Sequence, residues 1–584
     1  MSLFLSNAPL KVLCSLPRLR RHVTSAVACT VISALLLANP PASAQYSPSL
    51  PTLGDGSEMG LAAERRLGDR IAREIYHDPD YVDDPLLTDY VQSIWQPLQA
   101  AARARGDLTP EMQERFAWGL LLIRDRTINA FALPGGYMGV HLGLIGLVAN
   151  RDELASVLGH ELSHVTQRHI SRLTTQQGKT TPLIIAAMIL GALAASKSPN
   201  AASAVFAGSQ ALAVQSQLNF SRDMEREADR IGYNVMKQAG FEPEAFVTMF
   251  EKLQQSSRLN DNGAYPYLRS HPLTSQRIAD MQLRVSADEV AQQQHVPPSL
   301  QRRAGTGLSN TTAADPLADA DPAYSTSIHG MLAARARILA DPGVDGLRTW
   351  LTEAEASQPS ALKRQQARRA AVLYGAVLAS MKLRDAGATR RWLAELQNLV
   401  QFDSEAARLA RLLAIEVALQ AGDATQAASL LSPSATDRPE LLLRAQVAVL
   451  LRRQSLASQG SLDSQGKAAS ARITGGPSEQ LKEALQRLQT WVYGHPHDAL
   501  AWQWLANVAA AQNLTLRAIR AEAEVQAAGM DLPAAVDRLK AAQDYGRKND
   551  LGAQPGDHIE ASIIDTRLRE AEAQLREMSR EKAL

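Results

Sequence analysis

Cysteine is almost missing from this sequence of 584 residues: its two copies, Cys14 and Cys29, both sit near the start. A disulfide-stapled scaffold is therefore excluded for everything that follows them. Aromatics are scarce at 5%, while alanine is abundant, which favours helix over sheet. There is no surplus of basic charge, with 61 Lys and Arg against 60 Asp and Glu, so the electrostatic footprint of a nucleic-acid binder is absent. Absent too is any apolar run approaching the ~20 residues of a spanning helix, which excludes a polytopic membrane protein. What is present is globular in kind: 45% apolar residues, 21% charged, and a length that calls for two or three domains.

The first 44 residues read as a secretory signal. Residues 1–22 hold Lys11, Arg18, Arg20 and Arg21 and no acid. An apolar run, Val23 to Ala38, follows, and then Ala42-Ser43-Ala44. This order predicts cleavage after Ala44 and export, with an uncleaved anchor as the alternative. Cleavage would remove both cysteines and four basic residues, taking the net charge from +1 to −3.

Residues 55–285 mix helical patterns (Gly60–Ile75, Leu86–Ala104) with strand patterns (Phe116–Arg124, and Ile128–Leu133 ending at Pro134-Gly135-Gly136). Residues 286–330 are rich in Gln, Pro, Ser, Thr and Asp and read as a linker. Alanine-rich helix fills 331–454 and 478–584, interrupted at 455–477 by a Ser-, Gln- and Gly-rich insertion expected to be disordered. Gly387 and Gly422 lie 35 residues apart at expected turns. That spacing points to stacked helix pairs of the tetratricopeptide kind, with a non-repeating bundle as the alternative.

The chemistry concentrates in two short segments. Residues 160–164 read His160-Glu161-Leu162-Ser163-His164, inside a pattern apolar at Leu154, Val157 and Leu158 that predicts an amphipathic helix. Histidines at i and i+4 share a helix face and can bind one zinc, and the glutamate between them can reach a metal-bound water. A catalytic zinc needs a third protein ligand. His169 is nearest, but nine steps of one continuous helix would carry it to the opposite face. The better candidate is Glu225 in Glu225-Arg226-Glu227-Ala228-Asp229, with Asp229 one turn on in support and Glu227 facing elsewhere.

These segments, together with Asn129-Ala130-Phe131-Ala132-Leu133-Pro134-Gly135-Gly136 upstream, occur in the order and spacing of the HtpX-type zinc metallopeptidases, which include the CAAX prenyl proteases. The sequence resembles that family over roughly residues 55–285. The resemblance implies an α+β zincin-type metallopeptidase domain followed by an all-α tetratricopeptide-like domain. It implies one zinc held by His160, His164 and Glu225, with Glu161 as catalytic base. It also makes Asp229 an active-site proton donor, whereas spacing alone makes it a group that orients a ligand; both readings stand at this point. His271, in Ser270-His271-Pro272-Leu273, either starts a helix or, by the resemblance, lies over the metal as a fourth ligand and latch or as an oxyanion donor, with Arg277 bracing the site. The strand holding Asn129, Ala130, Phe131 and Ala132 is expected to receive substrate by β-addition.

The secretory start and the repeat-like tail resemble periplasmic members of the family. Those act as proteases and chaperones on misfolded or misassembled envelope proteins and dock on the outer-membrane protein assembly machinery. A non-proteolytic docking scaffold with a latched zinc site is the competing function. The apolar stretch Thr181–Ala195 is too short to span a bilayer and reads as a core helix, a surface touching membrane or partner, or a substrate flap.

Overall fold

The computed structural model describes residues 59–176, 222–259, 266–294, 322–460, 477–548 and 556–583. The expected signal segment 1–44, the stretch 181–195, and the central parts of the expected linker and insertion (295–321 and 461–476) lie outside the described residues.

The first element among the described residues is helix α1 (Leu61–Tyr76), whose Leu67, Ile71 and Ile75 are buried. Strand β1 (Tyr81–Val82) leads to Asp84, which caps α2 (Pro85–Arg105) by accepting a 3.0 Å bond from the Leu87 N–H. After α3 (Pro110–Arg115) come β2 (Leu120–Ile123), β3 (Ala130–Leu133) and β4 (Tyr137–His141). Both expected strands are shorter than their apolar patterns. Trp118, with φ 53°, keeps β2 from starting at Phe116, and β3 begins only at Ala130.

The sheet order is β1-β2-β4-β3, so β3 is an edge strand, paired antiparallel with β4. Between them, Gly135 and Gly136 take φ of 73° and 84°, which glycine adopts without strain. Leu121, Ile123 and Leu133 pack with α1 on one face; Leu122, Ala130, Ala132 and Met138 enter the main core on the other.

Following α4 (Leu142–Leu147), α5 (Arg151–Thr166) packs on that other face against β3; then come, in chain order, α6 (His169–Gln176), α7 (Arg222–Gln238), α8 (Glu244–Leu259), α9 (Pro266–Ser270) and α10 (Ser275–Gln294). The expected amphipathic helix is α5, but it is buried on all sides from Glu153 to Thr166. Its polar residues are not a solvent face: α5 lies between β3, α2, α7 and α8.

The remainder is helical: α11 (Pro322–Leu339), α12 (Gly343–Ala356), α13 (Lys363–Lys382), α14 (Ala386–Val400), α15 (Ser404–Gln420), α16 (Ala424–Leu430), α17 (Arg438–Gly460), α18 (Pro477–Gly494), α19 (Ala499–Ala511), α20 (Thr515–Ala528), α21 (Leu532–Lys548) and α22 (Asp557–Ala583). From α12 on, each packs against its sequence neighbour.

Three turns share one construction. A left-handed residue (Arg384, Gly422, Met530) is followed by an aspartate (Asp385, Asp423, Asp531), whose N–H reaches back to Ser380, Ala418 and Gln526 at 2.8–2.9 Å. Each aspartate then caps the next helix with its side chain. Gly387 is therefore not a turn residue: it lies inside α14, and Arg384 takes the turn position.

Residues 57–584 form one compact unit, and the helical tail meets the α/β part at several points. Arg335 on α11 is buried and binds Asp84 at 2.7 Å and Glu416 at 3.0 Å. Arg438 on α17 binds the adjacent Asp83 and also Asp498, each at 2.7 Å. Farther along, the Met530 carbonyl at the α20–α21 turn accepts a 3.0 Å bond from Arg73 on α1. No helix among the described residues is long and apolar enough to cross a membrane.

Candidate metal centre

Asn150 starts α5 by accepting a 2.8 Å bond from the Glu153 N–H. Two and a half turns later the helix presents His160 and His164, whose Nε2 atoms lie 3.0 Å apart. Helix α7 crosses α5 at glycine: Gly159 and Gly232 meet backbone to backbone. This contact puts Glu225 Oε2 3.5 Å from His160 Nε2, and Glu225 Oε1 3.5 Å from His164 Nε2.

His271 arrives from the α9 turn, which is tied to the sheet by a 3.3 Å bond from the Tyr267 N–H to the Ile128 carbonyl. Its ring stacks on Tyr267, and its Nδ1 stands 3.0 Å from Glu225 Oε1. His160, His164, Glu225 and His271 each offer one donor atom, all within 4.8 Å of one another and all buried. Glu161 is fully buried beside them. Its Oε2 accepts a 3.1 Å bond from the Ala132 N–H of the edge strand, while its Oε1 makes no hydrogen bond to the described residues.

The donors suit zinc: three imidazoles and a carboxylate with a buried carboxylate adjacent, converging where none has solvent to satisfy it. Burial opposes a charge on His160, yet the carboxylates of Asp229 and Glu225 outweigh it and push its pKa to about 9. Burial and the neighbouring His160 hold His164 well below the usual imidazole range. Burial raises the carboxyl of Glu161. It also works against the charge on Glu225, but His271 and His160 win and hold that group low.

Asp229 lies outside the converging group. Its Oδ1 is 2.9 Å from His160 Nδ1, and Arg277 grips both its oxygens at 2.7 Å. Arg277 also reaches Glu225 at 2.7 Å and the Pro272 carbonyl at 3.0 Å, binding the His271 segment to α7. Of the expected substrate strand, Ala130, Phe131 and Ala132 are in β3, and Asn129 is buried just before it.

Two residues set aside on spacing lie outside the converging group but behind His164. α5 stops at Thr166, Arg168 turns left-handed with φ 52°, and α6 swings His169 back until its Nδ1 is 2.8 Å from His164 Nδ1. The opposite-face expectation assumed one unbroken helix. Glu227, expected to face elsewhere, receives His169 Nε2 at 3.2 Å and Arg172 Nη1 at 2.9 Å. Burial drops the pKa of His169 to about 4, so it is neutral near pH 7. No glycine or proline marks the break after Thr166, so the sequence carried no signal for this contact.

Comparison with known proteins agrees with this geometry. The family model of peptidase family M48 matches residues 86–285. The beta-barrel assembly-enhancing protease of Escherichia coli (strain K12) is 34% identical over 269 residues, 46% of this chain and 53% of that protein. Its namesake from Yersinia pestis is 33% identical over 266 residues, 44% of this chain and 53% of that one. The mitochondrial metalloendopeptidase OMA1 of Arabidopsis thaliana is 32% identical over 164 residues, covering 28% and 31%. The chain thus spans about half the length of the bacterial relatives it matches. Residues 86–285 match the model of peptidase family M48, and the chain is similar over somewhat less than half its length to the beta-barrel assembly-enhancing proteases.

Proposed function

We propose that this protein is a zinc-dependent endopeptidase of unfolded or misassembled envelope proteins, with His160, His164 and Glu225 holding one zinc and Glu161 acting as base. The observation that carries the reading is the convergence of buried donors beside Glu161, itself bonded to an edge strand. When bound, zinc supplies a water of lowered pKa and polarises a carbonyl. Glu161, buried beside the ligands, is the group that would take a proton from such a water and pass it to the leaving amine. Burial, which raises its carboxyl, suits a group that must hold and release a proton. Asp229, clamped by Arg277, orients His160 rather than donating a proton. The side of β3 away from β4, which pairs with no other described strand and turns the Ala132 N–H to Glu161, receives an extended polypeptide as an added strand, which favours unfolded segments.

His271 gives the site a second state. It is 2% exposed and stands against Glu225 and Glu161, which supports a reading in which it closes the site to substrate. We read it as a latch: a fourth ligand that must leave before water activation. The latched state also suits a chaperone or docking scaffold. The relatives named beta-barrel assembly-enhancing proteases support outer-membrane protein assembly as the setting. In this reading, residues 1–44 direct export to the periplasm, the helical tail acts as tetratricopeptide-like repeats that dock on the assembly machinery, and contact with a membrane is peripheral.

Digestion of casein, with zinc content measured alongside, tests the assignment. His160→Ala, His164→Ala and Glu225→Ala should lose zinc and activity; Glu161→Gln should keep zinc and lose turnover. Full zinc in Glu225→Ala sinks the ligand set. His271→Ala should digest faster with zinc retained. A rate lower by about 10²–10³-fold would make His271 an oxyanion donor instead.

A further inference from the structure

We propose that His169 and Glu227 are positioning residues that fix the tautomer and aim of His164 through an unbroken chain of proton donors and acceptors ending at Arg172. The inference rests on the zinc reading above. His164 turns Nε2 toward the converging ligands, leaving Nδ1 as its far nitrogen. An imidazole that binds metal through Nε2 carries its proton on Nδ1. His169 Nδ1, 2.8 Å away, accepts that proton if it carries none itself. His169 must then hold its own proton on Nε2, where Glu227 Oε2 accepts it at 3.2 Å. Arg172, 2.9 Å from the same oxygen, completes the chain. Each proton position follows from the one before it.

The arrangement parallels the support of the other ligand. His160 Nδ1 meets Asp229 directly, and Arg277 clamps Asp229. Both histidines of the motif are thus backed by a carboxylate–arginine pair, one in contact and one through a neutral imidazole. The backbone is built for the second contact. The left-handed Arg168 makes the turn, and its guanidinium is held by Glu64 at 3.1 Å, by Ser171 at 3.1 Å and by the Met59 carbonyl. The His169 side chain is fully buried, and its ring meets that of His164 edge-on at 76°. A partner that fixes a metal-binding imidazole contributes about 10–100-fold to metal affinity.

The test is zinc affinity by competition with a chromophoric chelator, together with the thermal midpoint of the zinc-free protein. His169→Leu fills the space but cannot accept a proton; His169→Gln can accept from His164 and donate to Glu227. The leucine variant should bind zinc about 10–100-fold more weakly, and glutamine should restore most of the loss. Glu227→Leu, which touches no ligand and lies at the protein surface, should weaken zinc severalfold with the zinc-free midpoint unchanged. Wild-type affinity in both leucine variants overturns the proposal. So does an equal loss in His169→Leu and His169→Gln accompanied by an equal drop in midpoint, which would make His169 a packing residue. His164→Ala separates the two levels: if it too keeps full affinity, the zinc reading itself is wrong; if it alone loses zinc, only the relay is.

Discussion

The crossing of α5 and α7 predicts an asymmetry between its two glycines. A Cβ built on Gly232 would lie 2.9 Å from the Gly159 carbonyl carbon and oxygen and from the His160 nitrogen. All three are backbone atoms, so no rotamer change relieves the overlap. Restoring ordinary contact at 3.4 Å requires the helices to part by about 0.5 Å. A Cβ on Gly159 has the Gly232 oxygen at 3.3 Å and the Gly232 carbonyl carbon and Cα at 3.8 Å, so a shift of about 0.1 Å restores ordinary contact. Overpacking costs about 1–3 kcal/mol, while alanine gains about 1 kcal/mol over glycine inside a helix. Gly232→Ala should therefore lose about 0–2 kcal/mol, and Gly159→Ala should be neutral or slightly more stable. The larger effect is on metal. A shift of about 0.5 Å exceeds the ~0.2 Å tolerance of a metal–ligand distance, and it moves His160 away from Glu225 and Asp229 together. Zinc affinity in Gly232→Ala should fall on the order of 10–100-fold. Chelator competition and urea unfolding of the zinc-free protein measure the two effects. A Gly232→Ala protein that is stabilised and binds zinc normally, or a Gly159→Ala protein that is the worse of the pair, would refute the reasoning.

Other outcomes follow from the same contacts. Arg335→Leu strands Asp84 and Glu416 without their cation and should cost about 3–5 kcal/mol in urea unfolding; a loss below about 1 kcal/mol would mean the pair is not buried as described. Asn150→Ala removes the α5 cap and should cost about 1 kcal/mol without changing zinc stoichiometry, read by thermal unfolding and metal analysis. Adding zinc to the stripped protein at about 100 times its dissociation constant should stabilise it by about 2.7 kcal/mol, and His164→Ala should show no such gain.

How far the site could be read in the sequence depended on whether a contact is local. His160 and His164 are one helical turn apart, as are Glu225 and Asp229, so their shared faces follow from the geometry of a single helix. The edge strand was also visible, because its apolar run ends in Pro134-Gly135-Gly136. His169 was rightly kept out of the ligand set, but its direction was misread because helical arithmetic was carried past Thr166, where the helix ends. The Gly159–Gly232 crossing joins residues far apart in sequence, and neither glycine sits in a pattern that announces it. In the tail, Gly387 drew attention that belonged to Arg384, because the aspartate that follows the turn, not the glycine, is what recurs. α5 looked amphipathic because its ligands are polar, although all of them face inward.

Asp83 and Asp84 are consecutive residues, yet each is held by an arginine from a different helix of the tail. One tether alone would act as a pivot. Two on neighbouring residues, pulling from α11 and α17, act as a yoke: a rotation that spares one ion pair stretches the other. With the Met530–Arg73 contact as a further strut, the tail is a fixed bearing rather than a swinging arm. The tail helices are then held at a constant angle to the edge strand.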